Sequence, residues 1–262
     1  MNNKINNKGL LIVPVYNEVD RLDIKSWARI SNSKSFDILF VDDGSTDESY
    51  SMLRQMQVKN PRISIKKLMK NRGKGNVIYE GIKLSKKLGY NYVGLMDADL
   101  SVLPSNLTFG LTKILENSRL FMVSGARIQL AGWNVERTYF RRWAGRLIAT
   151  LISLVTGITI YDPQSPCKWF NLSNIPIKYF KRPRTRWFYE VEVLLNFIAS
   201  TKSKNNFEIL EFPILGWEEK KGGHLSFFSF PKILYEFTII SYLSTISRMT
   251  SKNLKYAQVR KR

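Results

Sequence analysis

The chain has 262 residues, enough for one large domain or two small ones, and its 44% hydrophobic content is typical of a packed globular protein. A single cysteine, Cys167, excludes an intramolecular disulfide and a cysteine-built zinc site. A single histidine, His224, excludes a two-histidine metal site and argues against Ser-His-Asp catalysis. A bound metal would therefore depend on oxygen ligands, which favours Mg²⁺ or Mn²⁺.

The formal net charge of +20 predicts a polyanionic partner. The excess of basic residues is +7 over residues 1–120 and +13 over residues 121–262. Because the basic second half is also rich in aromatic and aliphatic residues, it fits an anionic membrane surface better than a nucleic-acid groove. We expect no nucleic-acid partner, no removable targeting segment and no membrane-spanning helix, since charges interrupt the long apolar stretches.

Strands and helices alternate along the first half of the chain. Apolar runs predict strands at residues 10–15, 36–41, 63–68, 92–96 and 121–124. Helices are predicted up to residue 31, up to residue 58 with Ser45 or Thr46 as N-cap, and over residues 73–88. This order indicates an α/β fold with a Rossmann-like, mostly parallel sheet flanked by helices.

The second half combines amphipathic stretches with arginines. A helix is predicted over residues 143–160, behind the basic positions Arg137, Arg141, Arg142 and Arg146. Further elements are predicted as a helix over 187–199, a strand over 208–214, and an aromatic and aliphatic segment over 225–247. These helices either pack on the sheet or lie in a membrane interface, and the charge favours the interface.

Polar side chains follow several of the predicted strands directly. Because parallel strands present their carboxyl ends at one edge of a sheet, we expect these side chains to converge on one crevice. They are Asn17, Asp42, Asp43, Asp97 and Asp99. The pair Asp97 and Asp99 is suited to a divalent cation that bridges a diphosphate.

Two further turns have chemistry that fits a nucleotide. The turn formed by Asp42, Asp43, Gly44 and Ser45 either binds a ribose or base edge or caps a helix. The basic, glycine-bearing turn at residues 70–75 precedes a helix and suits a diphosphate. It lacks the Walker A pattern, so ATPase activity is not indicated.

Four of these motifs, in order and in register, resemble the inverting GT-A glycosyltransferases of family 2. They are Pro14-Val15-Tyr16-Asn17-Glu18, Val41 to Asp47, Asn71 to Gly75, and Asp97-Ala98-Asp99. The resemblance continues with Gly125-Ala126-Arg127, Tyr161 to Ser165, Lys168-Trp169-Phe170, Arg186-Trp187 and Glu190-Val191-Glu192. These later motifs look like the polyprenyl-phosphate sugar synthases, and dolichyl-phosphate glucose synthases above all.

The resemblance implies roles for individual residues. Residues implied to bind the nucleotide sugar are Pro14, Tyr16, Glu18, Asp42, Asp43, Arg72, Lys74, Asp97 and Asp99, of which Asp97 and Asp99 would also hold the metal. Residues implied to bind the acceptor are Arg127, Arg141, Gln164 and Lys168, and the implied catalytic group is Asp99, Arg127, Arg141 and Asp162. Some relatives have a glutamine as a further metal ligand where this chain has Ser101.

The implied reaction transfers a sugar to a polyprenyl or dolichyl phosphate with inversion, at the cytoplasmic face of a membrane to which the protein binds peripherally. The donor expected is UDP-glucose, with GDP-mannose as the alternative. A lipid phosphate is already anionic and needs no histidine base, whereas an alcohol acceptor would need Asp162. Two other functions remain open: a family 2 transferase acting on a soluble or glycan acceptor, and a basic binding module without catalysis.

The expected domain organisation places the transferase domain at residues 9–220, with a nucleotide-sugar half at 9–120 and an acceptor half at 121–220. Residues 1–8 are expected to be disordered. Residues 221–247 are expected to form a helical segment at the membrane interface, followed by a basic tail at 248–262.

Overall fold

A seven-stranded sheet organises the residues that the computed structural model describes, which are 8–130, 139–173, 180–200, 208–218 and 230–250. In chain order its strands are β1 (Gly9–Val15), β2 (Phe36–Asp42), β3 (Ile63–Lys67), β4 (Tyr92–Leu95), β5 (Leu120–Ala126), β6 (Lys168–Asn171) and β7 (Glu208–Pro213). Their order across the sheet is β3-β2-β1-β4-β6-β5-β7. All pairings are parallel except the two made by β6, which runs antiparallel to β4 and β5.

Seven helices accompany the sheet in the described residues. They are α1 (Ile24–Ile30), α2 (Ser49–Lys59), α3 (Lys74–Lys87), α4 (Pro104–Glu116), α5 (Tyr139–Thr156), α6 (Tyr189–Ser200) and α7 (Phe230–Thr250). The predicted α/β class with a mostly parallel sheet is confirmed. Each of the six strands predicted from apolar runs is present within one or two residues of its expected ends.

Both faces of the sheet are covered because side chains alternate along each strand. In β1, Leu11 and Val13 belong to a core that includes residues of α1, α2 and α4. Leu10 and Ile12 point the other way, into a core shared with α3 and α6. This two-sided burial explains why β1 is an uninterrupted apolar run.

The antiparallel strand β6 and helix α4 were not predicted, and both pack around one side chain. Trp169 of β6 is fully buried, and its indole Nε1 donates a hydrogen bond to the Leu107 carbonyl of α4 at 2.9 Å. A Cβ at Gly94 or Gly110 would lie within 2.9 Å of the Trp169 ring. Glycine at both positions therefore makes room for the indole between β4 and α4.

The start of α2 corrects the prediction that Ser45 or Thr46 is its N-cap. The helix begins at Ser49, after Glu48. Ser45 instead hydrogen-bonds Asp42, and the Thr46 amide donates to Asn17 Oδ1 at 2.9 Å. The two residues are therefore used to join neighbouring loops.

Helices α5, α6 and α7 form a third packed group around Ile152, Phe188, Val191, Leu195 and Ile240. The outer faces of α5 and α7 carry exposed apolar side chains, and a position of these helices in a membrane interface stays a prediction. None of the helices in the described residues is long and apolar enough to cross a membrane. Residues 1–7, 219–229 and 251–262, including His224 and most of the expected basic tail, lie outside the described residues, and the domain boundaries remain predictions.

Candidate active site

The carboxyl ends of β1 and β2 are joined by polar contacts between their loops. Asn17 follows β1 with a positive φ of 51°, a conformation that asparagine tolerates better than most residues. Its backbone amide donates to Ser45 Oγ at 3.1 Å, and the next amide, that of Glu18, donates to Ser49 Oγ at 2.7 Å. These contacts fix the loop that carries the predicted nucleotide-binding residues Tyr16 and Glu18.

Asp43 holds the basic loop that precedes α3. Its carboxylate accepts hydrogen bonds from the Arg72 and Gly73 amides at 2.9 and 2.7 Å. Burial raises the pKa of Asp43 above its ordinary value, against the effect of these two amides. The next residue, Gly44, has a φ of +72°, and a Cβ there would lie 2.8 Å from the Lys70 Cα. The predicted nucleotide residue Asp43 thus sets the position of the predicted diphosphate loop.

Asp42 and Pro14 support the site from the sheet side. Asp42 is fully buried, and its carboxylate accepts hydrogen bonds from Ser45. Pro14 is half-buried in β1 and pairs in register with Val41 of β2. Contacts of Pro14 and Asp42 with a nucleotide stay predictions.

The Asp97-Ala98-Asp99 segment follows β4 and is fixed by its central residue. Ala98 is buried, and its carbonyl accepts a hydrogen bond from Trp27 Nε1 at 2.9 Å. This anchor leaves Asp97 and Asp99 half-exposed, one residue to either side. Asp99 Oδ1 accepts from the Ser101 amide at 3.0 Å, while the positive φ of Leu100 turns the chain away.

A cluster of opposite charges connects this segment with α3 and α6. Lys74 Nζ lies 2.7 Å from Asp97 Oδ1, and both side chains are about two-fifths exposed, at 42% and 39%. Desolvation by itself would lower the pKa of Lys74, but Asp97 and Glu190 raise it above its ordinary value. Desolvation would likewise lower the pKa of Arg127, but Asp162, Asp97 and Glu190 raise it. Residues predicted for the donor side and for the acceptor side therefore influence one another electrostatically.

Glu18 is a titratable group on the edge of this cluster. One of its oxygens pairs with Arg21, and the other, Oε2, is buried and has no hydrogen-bond partner among the described residues. Burial raises the pKa of Glu18 to about 7, and Asp99 and Asp97 contribute in the same direction. The carboxyl group is consequently poised to change charge near neutral pH.

Arg127 and Asp162 form a buried, bidentate ion pair on the acceptor side. Arg127 Nε and one terminal nitrogen lie 2.7 and 2.9 Å from the two Asp162 oxygens, and that nitrogen also donates to the Gln164 carbonyl. Burial opposes ionisation of Asp162, but Arg127 outweighs it and lowers the pKa to about 2. A carboxyl group with so low a pKa is a poor base, so Asp162 is better suited to positioning Arg127 than to the proton transfer that an alcohol acceptor would need.

The predicted acceptor residues Gln164 and Lys168 make contacts within the protein. Gln164 Nε2 donates to the Trp187 carbonyl at 3.2 Å. Lys168 is 1% exposed, and its ammonium donates to the Pro163 carbonyl at 2.7 Å and faces Glu190 at 3.4 Å. In this arrangement Lys168 holds the loop that contains Pro163, and its contact with an acceptor stays a prediction. Arg141 lies in α5, and its side chain is outside the described part of the chain.

Several carboxylates that hold these loops were not among the predicted site residues. Glu190 belongs to the charge cluster, and Glu211 accepts the Tyr161 and Asp162 amides at 2.7 and 3.0 Å. Two more carboxylates, Glu192 and Glu236, hold the turn before α6. A signal existed in the sequence, because each of these acids has apolar or aromatic neighbours in its strand or helix, where a buried ionised side chain requires a partner.

The side chains at this edge fit a divalent cation only in part. Within the described residues, no group of three or more histidine, cysteine, aspartate or glutamate side chains is arranged to hold a metal ion. Asp97 and Asp99 offer carboxylate oxygens, which are the donors that Mg²⁺ and Mn²⁺ prefer. A cation here would be held by these two residues and would need further oxygens from a bound phosphate or from water.

The sheet and the charged loops at its carboxyl edge fit the GT-A glycosyltransferases that the sequence motifs resemble. Consistent with this class, the glycosyl transferase family 2 model matches residues 10–175. The chain therefore belongs to glycosyl transferase family 2 and is an enzyme of that family.

Individual relatives agree with this assignment. The chain is 28% identical over 234 residues to a dolichyl-phosphate beta-glucosyltransferase of Dictyostelium discoideum, covering 84% of this chain and 69% of the relative. It is 26% identical over 241 residues to the enzyme of the same name from Saccharomyces cerevisiae, covering 82% and 68%. Glucosyl-3-phosphoglycerate synthase from Mycobacterium tuberculosis, solved with UDP, shares the fold with a TM-score of 0.64 at 12% identity, covering 92% and 81%. Another structure of that synthase contains Mn²⁺ with UDP and glucosyl-3-phosphoglycerate.

Proposed function

We propose that this protein transfers glucose from UDP-glucose to a polyprenyl phosphate, such as dolichyl phosphate, with inversion at the anomeric carbon. The observation that carries the proposal is the pairing of Lys74 with Asp97 at 2.7 Å on the proposed donor side, where the charge of Asp97 also acts to raise the pKa of Arg127 on the proposed acceptor side. The lipid phosphate as acceptor and glucose as the transferred sugar are proposed from the names of the two eukaryotic relatives.

The donor is proposed to lie across the ends of β1, β2 and β4. Tyr16, Glu18 and Asp43 would face the nucleoside, and Arg72 and Lys74 the diphosphate. Asp97 and Asp99 would hold Mg²⁺ or Mn²⁺, which when bound would neutralise charge on the diphosphate. Lys74 would also compensate the negative charge of the diphosphate, because its ammonium lies beside Asp97.

The acceptor phosphate is proposed to bind at Arg127, with Arg141 as a second predicted contact. Three of the five Arg127 donors are taken by Asp162 and the Gln164 carbonyl. The two donors on the other terminal nitrogen have no acceptor within the described residues and are suited to phosphate oxygens. Gln164 and Lys168 would shape the loop around this phosphate.

The proposed step is an in-line displacement. A phosphate oxygen of the lipid forms a bond to the anomeric carbon as the bond to the nucleoside diphosphate breaks, converting an α-linked donor into a β-linked product. Because the attacking phosphate is already anionic, no general base is required. The task of the protein is to position both phosphates and to stabilise their charge.

The protein is proposed to act at the cytoplasmic face of a membrane through the exposed side of α5. Trp143, Leu147, Leu151 and Leu154 are exposed by 68, 60, 37 and 71% and recur every three or four residues, which places them along one side of the helix. Helix α7 adds exposed apolar side chains at Leu234, Tyr235, Tyr242 and Ile246. Apolar faces of this kind beside arginines suit the headgroup region of an anionic bilayer.

A transfer assay with labelled UDP-glucose, UDP-N-acetylglucosamine and GDP-mannose tests this proposal. Polyprenyl phosphate is the acceptor, with Mg²⁺ or Mn²⁺ added, and label is counted in the organic phase. We expect metal-dependent labelling from UDP-glucose and a loss of about a hundredfold or more in Asp99→Asn and Arg127→Lys. Glu116→Gln, an exposed acid on α4, is the control and should keep full activity.

Other outcomes decide between the alternatives. Labelling from GDP-mannose alone would replace the donor and keep the reaction. Donor cleavage without lipid labelling would favour a soluble or glycan acceptor. Absence of both nucleotide binding and donor cleavage would overturn the proposed function.

A further inference from the structure

The turn that precedes α6 lies between the proposed donor and acceptor loops. On one side, the Arg186 guanidinium donates to Asn71 Oδ1 at 2.6 Å. A Cβ added to Gly73 would lie 2.5 Å from Arg186 Nε, so the guanidinium rests directly on the loop before α3. On the other side, the Trp187 carbonyl accepts the Gln164 side-chain amide.

Two buried carboxylates hold the four consecutive backbone amides of this turn. Glu192 of α6 accepts the Arg184 and Thr185 amides at 3.1 and 2.6 Å. Glu236 of α7 accepts the Arg186 and Trp187 amides, both at 2.9 Å. Glu192 is close in sequence to the turn, whereas Glu236 reaches it from a helix about fifty residues further along the chain.

The burial of the Glu236 carboxylate is unfavourable in free energy unless other interactions compensate it. The residue is 6% exposed on α7, whose neighbouring positions Leu234 and Tyr235 are more than half exposed. Burying a carboxylate costs free energy that its two amide hydrogen bonds have to offset. These bonds fix the two residues of the turn that contact the donor and acceptor loops.

We propose that Glu236 is a positioning residue for donor binding, which fixes the Arg186–Trp187 turn and thereby holds Arg186 across the diphosphate loop. The inference rests on the proposed function, because it takes residues 70–74 as the diphosphate site. Arg186 adds positive charge beside Arg72 and Lys74, and it also acts to lower the pKa of Asp43 beneath the same loop. Without Glu236 the turn would lose two of its four backbone restraints, and Arg186 would no longer be held at Asn71.

The test compares the dissociation constants of UDP and uridine by calorimetry on the full-length protein. In Glu236→Gln one carboxylate oxygen is replaced by an amide nitrogen that cannot accept a hydrogen bond. We expect UDP to bind about tenfold more weakly and uridine to bind within about twofold of wild type, because only the diphosphate contact is disturbed. Asn71→Ala, which removes the Arg186 partner from the far side, should weaken UDP binding about threefold without altering α7.

Glu192→Gln is the matched control, since it removes the other buried carboxylate from the same turn. Thermal melting of each variant shows whether it is folded at the assay temperature. Equal losses of UDP affinity in Glu192→Gln and Glu236→Gln, or equal losses for UDP and uridine, would show that Glu236 contributes only to general stability. Either result would overturn the inference. Unchanged UDP affinity in both Glu236→Gln and Asn71→Ala would also overturn it.

The proposed function fails in a different way. If the wild-type protein binds neither UDP nor GDP, the donor site itself is absent and the inference falls with it. If wild type prefers GDP, the same comparison is made with GDP and guanosine. If wild type binds the nucleotide and the variants match it, only the role of Glu236 is rejected.

Discussion

Glu18 gives the folded protein a pH dependence that can be measured without substrate. Burial raises its folded pKa from the ordinary 4.5 to about 7, so the folded state favours the protonated form. The stability that follows is fully present below pH 4.5 and is lost as the pH rises through about 7, by about 3 kcal/mol if Glu18 acts alone. In Glu18→Gln the side chain cannot ionise, and this loss should disappear.

Urea denaturation of both proteins at about pH 5 and about pH 8 measures the effect. We expect the stability of Glu18→Gln relative to wild type to rise between the two pH values. A relative stability that stays constant with pH would show that Glu18 does not titrate in this range.

The Arg127–Asp162 pair is expected to dominate stability on the acceptor side. Asp162→Asn keeps the shape of the side chain but leaves the buried Arg127 charge without its counterion, which should cost about 3 kcal/mol at neutral pH. Since the Asp162 pKa is lowered from 3.8 to about 2, its contribution is present above pH 3.8 and is lost as the pH falls toward 2. Denaturant titration of the wild type and of Asp162→Asn at several pH values measures both the free-energy cost of the substitution and its dependence on pH.

An exposed ion pair serves as the comparison. Glu116 faces Lys113 on α4 with side chains 55% and 39% exposed, and Glu116→Gln should change stability by no more than about 0.5 kcal/mol. If Asp162→Asn were as mild as Glu116→Gln, the buried pair would not be what fixes Arg127.

At the scale of elements, the β2–α2 loop depends on Gly44. Gly44 and Gly89 both have positive φ, at +72° and +84°, but an added Cβ meets the Lys70 backbone only at Gly44 and nothing within 4 Å at Gly89. Gly89→Ala should therefore cost only the conformational strain, about 1 kcal/mol. Gly44→Ala should cost at least about twice as much and should weaken UDP binding, because the clash displaces the loop before α3.

Thermal melts and UDP titrations of the two variants separate strain from displacement. Equal melting temperatures and equal UDP affinities would contradict a close packing of the two loops.

The exposed side of α5 makes a prediction about membrane binding. The double variant Leu147→Glu/Leu154→Glu should reduce flotation with phosphatidylcholine vesicles containing phosphatidylglycerol by about tenfold, because two exposed apolar side chains available to the bilayer are lost and two negative charges are added. Val58→Glu is the control, since Val58 is 81% exposed on α2. Similar losses in the control and the double variant would exclude α5 as the binding surface.

At the scale of the molecule, the sequence predicted the sheet well where apolar runs end in polar turns. β1, β2 and β4 were recognisable because they are buried on both faces and are followed by Asn17, Asp43 and Asp97. The antiparallel strand β6 was missed because Lys168 and Asn171 at its two ends leave only two hydrophobic residues between them. Helix α4 was not anticipated, although Pro104 at its start is a common helix signal.

The charged residues at the edge of the sheet could be predicted from the sequence, whereas the residues that hold their loops in place could not. Asp97 follows β4 and Lys74 begins α3, so their convergence can be inferred from topology. The contacts of Glu236 with residues 186–187 and of Glu211 with residues 161–162 join positions about fifty residues apart. No local pattern encodes such pairs, because they depend on how helices and strands pack in three dimensions.

The most direct measurement is an acceptor competition with labelled UDP-glucose and equal amounts of polyprenyl phosphate, the corresponding polyprenol and 3-phosphoglycerate. A site built from arginines, in which Asp162 is too weakly basic to activate an alcohol, should label the lipid phosphate and leave the polyprenol unlabelled. The soluble acceptor 3-phosphoglycerate should also remain unlabelled. Transfer to polyprenol, or transfer confined to 3-phosphoglycerate, would contradict a lipid-phosphate glucosyltransferase.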